Sequence, residues 1–250
     1  MQALYVYVVA GAVLAGFVQG LSGFAFGLVA MSVWAWTLEP QLAAVLALFG
    51  ALTGQVIAAV TVRRSFDKSV LWPFLLGGLV GAPFGVWLLP HLDLVVFKLC
   101  LGVLLVLWCP AMLMSQHLPK VAFGGRVADG VAGAIGGAMA GIGGFSGTIP
   151  TLWCTLRGFQ RDTQRAVIQN FNLSMLLVAF GIHVFSGNIG RSLLPLLGVV
   201  ALAVAVPVLL GARLYIGISE VAFRKIVLGL LTGSGVALLA SAVPALLARG

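Results

Sequence analysis

Two stretches of this chain are too rich in glycine for an ordinary helix, yet both lie inside apolar segments. The longer runs from Gly130 to Pro150 and reads GVAGAIGGAMAGIGGFSGTIP. The other, Gly16 to Gly27, reads GFVQGLSGFAFG. Laying Gly20-Leu21-Ser22-Gly23-Phe24 over Gly141-Ile142-Gly143-Gly144-Phe145 gives an offset of 121 residues, roughly half the chain. Such breaks restrict the fold severely. In lipid the backbone must satisfy its own hydrogen bonds, so irregular backbone survives only where protein buries it or a cavity receives it. The two stretches therefore predict a matched pair of broken membrane helices that build one site between them.

Lipid is the right solvent to assume. Of the 250 residues, 61% are hydrophobic and only 8% charged, with a mean hydropathy of +1.15. A soluble core does not need that; a polytopic membrane protein does. The formal charge of +8 is spread over short loops. A nucleic-acid binder would gather its Lys and Arg on one folded face, so that class is set aside. The N-terminus shows no basic region and no clear cleavage site, so no signal peptide is expected. Cys100, Cys109 and Cys154 form no CxxC and no His/Cys cluster. They read as small buried hydrophobes, and no metal site or cofactor is expected.

The apolar segments are residues 3–37, 42–62, 69–89, 94–114, 127–156, 163–186, 192–215 and 220–247. About 20 residues cross a bilayer, so the first and fifth are long enough to contain a break. The longest polar connection, SQHLPKVAFGGR, separates a first half (residues 1–115) from a second (127–250), with a connecting loop at 116–126. Pro83 matches Pro207 at an offset of 124, and Asp93–Phe97 matches Ser219–Phe223 at 126, with Gly102 close to Gly229. A slowly drifting offset is what small loop insertions leave after duplication. The expected fold is an all-α polytopic membrane protein of two inverted four-segment repeats, each starting with a glycine-broken re-entrant helical hairpin.

The basic residues bear on topology. If the segment at 127–156 crosses fully, the loops place seven Lys and Arg on each side. If it dips in and returns, one side holds eleven and the other three, Lys98, Arg191 and Arg249. The hairpin restores a positive-inside pattern and places the basic loops in the cytoplasm and both termini in the periplasm. The first hairpin follows only by repeat.

With these motifs in view, the chain resembles the sulfite exporter TauE/SafE family of small bacterial inner-membrane transporters. The carrying motifs are GLSGFAFGLVAM at Gly20–Met31 and GIGGFSGTIPTLW at Gly141–Trp153, followed by Arg165-Ala166. The resemblance covers nearly the whole chain. It implies transport of sulfite, sulfonates or related sulfur anions, and no enzyme activity. Phe145 stands where the family's commonest pattern has a third glycine.

The residues point to an anion on their own account. A helix broken at mid-depth exposes N–H groups and the positive end of the next half-helix, and repeat-built transporters use that geometry for anionic groups. The second half-helices are expected to begin near Ser22-Gly23-Phe24 and Gly144-Phe145-Ser146. Gln19 precedes the first tip, and Gly143 the second. Glycine lets an anion approach backbone closely, and Ser22, Ser146 and Thr148 carry hydroxyls. The same glycines also suit close helix packing, as Gly133, Gly137 and Gly141 suggest. Within spans, Gln55, Gln169, Asn170 and Asn172 carry amides that face either a cavity or a neighbouring helix. Arg157, Arg161 and Arg165 are four apart; on one helix they would share a face, with Arg165 the deepest, as a solvated rim or an anion funnel.

The six acids all read as lying in or beside loops, leaving no mid-span carboxylate as a proton relay. His183, the one histidine within a span, reads as a packed core residue. Gly20-Leu21-Ser22-Gly23 spells GxSG, which with His183 as base would suit an intramembrane serine protease. A transporter or channel for a different solute, such as a carboxylate or a lipid precursor, is another alternative, since glycine tips alone do not separate sulfonate from carboxylate. The expected partners are a small anion and the bilayer, and a homo-oligomer is compatible with the sequence.

Overall fold

The computed structural model describes residues 2–61, 68–115, 119–121, 123–214 and 220–249. Arg63, Arg64 and Asp67, and Ser219 of the repeat match, lie outside them. The described residues form ten α-helices: α1 (Gln2–Ser22), α2 (Phe26–Trp34), α3 (Pro40–Thr61), α4 (Lys68–Leu88), α5 (Leu94–Met114), α6 (Gly125–Gly143), α7 (Thr148–Leu156), α8 (Arg161–Phe185), α9 (Leu194–Leu214) and α10 (Glu220–Leu247). Seven of them, α1, α3, α4, α5, α8, α9 and α10, are long and apolar enough to cross a membrane. The six spans expected outside the broken segments fall on α3, α4, α5, α8, α9 and α10 within two residues at either end. In lipid a helix hydrophobic on all sides is stable, because water never competes for its backbone. Seven glycines among its 19 residues, with Arg126 and Asp129, lower the hydropathy of α6 and keep it out of that set.

Each glycine-rich segment breaks where expected, but unevenly. The arms are 21 and 9 residues in the first segment and 19 and 9 in the second. Both short arms start later than the sequence suggests, at Phe26 and Thr148. The reason is that the chain needs several residues to reverse direction after the glycine that ends each long arm. Both short arms double back. The indole N–H of Trp34, at the end of α2, donates to the carbonyl oxygen of Tyr7 near the start of α1, at 3.0 Å. That of Trp153 in α7 donates to Asp129 Oδ1 near the start of α6, at 2.7 Å. Asp129 is therefore no loop acid: it is a buried residue of α6, and Arg157 lies 3.8 Å away.

Small residues set the tightest helix contacts, as their spacing predicts. On α4, a side chain at Gly77, Gly81 or Gly85 would collide with the carbonyl oxygen of Gly130, Ala134 or Ala138 on α6. In return Gly133 and Gly137 sit against the backbone of Phe74 and Gly78. Residue numbers rise together along both helices, so α4 and α6 run parallel. α1 and α9 pack in the same manner, with Gly20 against the carbonyl of Val208 and Gly211 against that of Phe17. Without a hydrophobic drive between helices in lipid, such backbone approach supplies much of the association. α5 packs on α10 and α3 on α8. At the other extreme of exposure, Asp93 caps α5 by accepting from Val95 and Val96 N–H at 2.7 and 3.0 Å. The Val96 N–H and the guanidinium of Arg249 hold its carboxyl below the usual range.

Candidate functional site

The two breaks meet. Gly23 ends α1 with φ +84° and Gly144 ends α6 with φ +74°, the left-handed region where a Cβ is strained. Both close their helix in the same way: Gly23 N–H donates to Gln19 O at 2.7 Å and Gly144 N–H to Ala140 O at 3.0 Å. Gly27, in the first turn of α2, lies against the other break. A Cβ there would sit 2.8 Å from the carbonyl oxygens of Gly143 and Gly144. A Cβ on Gly144 would sit 2.8 Å from the Cα of Leu48 on α3.

The hydroxyls proposed as donors are already used. Ser22 Oγ donates to Val18 O at 2.8 Å and accepts long contacts from Phe24 and Ala25 N–H at 3.5 and 3.3 Å. Ser146 Oγ donates to Asn172 Oδ1 at 2.9 Å, and Thr148 Oγ1 to Phe145 O at 2.7 Å. These bonds shape the tips. The unused donors are backbone. Among the described residues, no protein acceptor takes the N–H of Phe145, Ser146 or Gly147. Three successive N–H groups beside the start of α7, left without a protein acceptor, are donors of the kind that suit negative charge.

The amides brace the tips from α1, α3 and α8. Gln55 Nε2 donates to Gly23 O. Gln19 Nε2 donates to Ala51 O at 2.9 Å, and its buried Oε1 has no partner among the described residues. Gln169 points at the first tip, its Nε2 4.0 Å from where a Cβ on Gly23 would be. Asn172 is buried beside Gly147, where a Cβ would lie 2.8 Å from its Nδ2. Asn170 Nδ2 instead returns to its own helix, at Ala166 O, 2.8 Å away.

Trp108 of α5 is the residue that sequence reasoning missed. Its indole N–H donates to Thr148 O at 2.8 Å, and Phe24 meets it edge-on with ring centroids 6.1 Å apart. It thus touches both tips. Its only sequence signal is a tryptophan in mid-span rather than at an interface, where the residue is commonest. Replacing Trp108 by Phe keeps a ring and removes the N–H. Flux through the protein is expected to fall about fivefold, matching the ~1 kcal/mol of one hydrogen bond. Initial rates in proteoliposomes measure it.

The reading of the three arginines needs correcting, and the remote protease alternative falls away. Arg157, Arg161 and Arg165 do not share a helix face. Arg157 ends α7, Gly158 turns the chain at φ +71°, and α8 starts only at Arg161. Glycine here ends the helix that a spacing of four assumes. Arg165 is exposed at the start of α8, one turn before Gln169. The protease reading also fails. Ser22 is bonded to Val18, while the imidazole of His183 is buried between Gly141 O at 3.0 Å and the Asn188 amide at 3.1 Å. His183 is a packed core residue.

Bilayer-length helices around two abutting helix breaks, with buried amides turned onto those breaks, define a polytopic α-helical membrane protein. The model of the sulfite exporter TauE/SafE family matches residues 8–238, and the chain belongs to that family. Its members are membrane transporters of sulfite-type anions and not enzymes. No curated protein and no solved structure gives a significant match to the chain.

Proposed function

We propose that this protein carries a small sulfur oxyanion, sulfite or a simple organosulfonate, across the bacterial inner membrane, bound at mid-depth between the two tips. The observation that carries this reading is the run of three N–H groups, Phe145 to Gly147, without a protein acceptor. In a low-dielectric interior, unpaired donors are costly unless a ligand or water takes them. An oxyanion with several oxygens can accept from several backbone donors at once. Phe145, Phe24 and Trp108 supply apolar walls, which suit an organosulfonate's carbon end.

In this reading α1–α2 and α6–α7 are re-entrant hairpins of two inverted repeats, residues 1–115 and 127–250. The helix packing supports it. Exchanging α1 to α5 for α6 to α10 leaves the principal pairings unchanged: α4 with α6 becomes α9 with α1, α3 with α9 becomes α8 with α4, and α5 with α10 maps on itself. Each hairpin thus packs on a helix of the other half. Movement of one half against the other then opens the tips to either side in turn. The charge bias of the loops supports an orientation with the basic side in the cytoplasm and both termini in the periplasm.

Proteoliposome flux tests the reading. Radiolabelled sulfite and a simple sulfonate are expected to move down their gradients, and a carboxylate of similar size at least tenfold more slowly. Carboxylate flux equal to sulfite flux would assign another substrate class. No flux of any of the three would leave the tips without a transport role.

A further inference from the structure

α4 and α6 run parallel, so their N-termini lie side by side at one end of the molecule. Between them runs a groove of about 700 Å3, with Lys68 and Arg126 at its mouth. Trp72, Leu76 and Val127 give it apolar walls, and Gly130 also lines it. Those three wall residues are exposed at 59%, 51% and 79%, so the groove opens on the outer surface of the helix bundle. Neither cation has an ion pair or hydrogen bond among the described residues.

We propose that this groove is a binding site for one anionic phospholipid. Its phosphate sits between the Lys68 ammonium and the Arg126 guanidinium, and an acyl chain lies along Trp72, Leu76 and Val127. Charge complementarity selects the headgroup: two cations and two helix N-termini converge, and no acid is among the described residues that line the groove. The apolar wall directly below selects a lipid over free phosphate, which would leave that wall unused. Basic pockets between membrane helices take anionic headgroups for these reasons. The site also has a consequence for the tips. A lipid here clamps α4 to α6, and α6 carries Gly144. The inference depends on membrane embedding alone and stands whatever anion is transported.

Native mass spectrometry of the full-length protein in detergent tests it, with phosphatidylglycerol or phosphatidylcholine added. The wild type is expected to retain one phosphatidylglycerol in preference to phosphatidylcholine. Lys68→Gln with Arg126→Gln is expected to bind it about thirtyfold more weakly, from ~1 kcal/mol for each cation near the surface. Lys68→Arg with Arg126→Lys should keep the preference. Arg126→Gln alone, at an exposed position, should lose about fivefold and serves if the double variant does not purify. Equal retention of the two lipids by wild type overturns the proposal, as does an unchanged preference in the glutamine variants. Displacement of phosphatidylglycerol by inorganic phosphate at equal concentration would also overturn it, by making the mouth a simple anion site.

Discussion

Gly144→Val is expected to abolish sulfite flux, with at most a few per cent of the wild-type rate remaining in proteoliposomes. Two independent costs fall on this position. Its φ of +74° is one that a β-branched residue avoids, which costs roughly 1–2 kcal/mol. Its Cβ would also press on the Leu48 backbone at 2.8 Å, so α6 must move away from α3. Overpacking of that kind costs about 1–3 kcal/mol more. Either relief displaces Phe145, Ser146 and Gly147, whose N–H groups form the proposed site. Gly23→Ala separates the two costs. Its φ is +84°, yet the nearest atom to a Cβ is Gln169 Nε2 at 4.0 Å. That variant should carry the strain without the collision and keep measurable flux. Size-exclusion profiles must show a folded monodisperse Gly144→Val for the result to count. Normal flux from such a protein would defeat the tip-site mechanism.

Gly81→Leu is expected to cost at least ~3 kcal/mol in stability, the upper range for overpacking. A Cβ at Gly81 would overlap the carbonyl oxygen, carbon and Cα of Ala134, all backbone atoms that no rotamer change can remove. The helices must separate, and with them the contacts at Gly77 and Gly85 on the same face. The control is Gly229→Leu on α10. Nothing lies within 4 Å of a Cβ there, so its stability should stay within about 0.5 kcal/mol of wild type. Thermal unfolding in detergent compares the two. A Gly81→Leu protein as stable as Gly229→Leu would mean that α4 and α6 are not held by this seam.

How much of this was legible beforehand divides along physical lines. The spans could be read because a bilayer demands about 20 apolar residues from any crossing helix, and the boundaries of α3, α4, α5, α8, α9 and α10 follow. The two breaks could be read because Gly23 and Gly144 stand where only glycine is at ease. The packing role of Gly133 and Gly137 was legible from small residues four apart. The arginine face was not, since a single turn at Gly158 ends the periodicity that its spacing assumed. Nor could the burial of Asp129 be seen, because an acid five residues into a helix looks solvated until Trp153 returns to cover it.

The sequence by itself thus determined the solvent, the helices, the places where they break and the family, all of which depend on local composition and on motifs. Only the tertiary structure decided which groups at the breaks remain unpaired. Ser22, Ser146 and Thr148 carry the obvious donors, yet each spends its hydroxyl on a neighbour. The N–H groups of Phe145, Ser146 and Gly147, which no side-chain pattern marks, are left over. Trp108 joins both tips, reaching Thr148 from 40 residues away in sequence and Phe24 from still further. Hydrogen-bond partners are assigned by the competition of everything within about 3 Å, and which groups come that close is settled by packing across the whole chain.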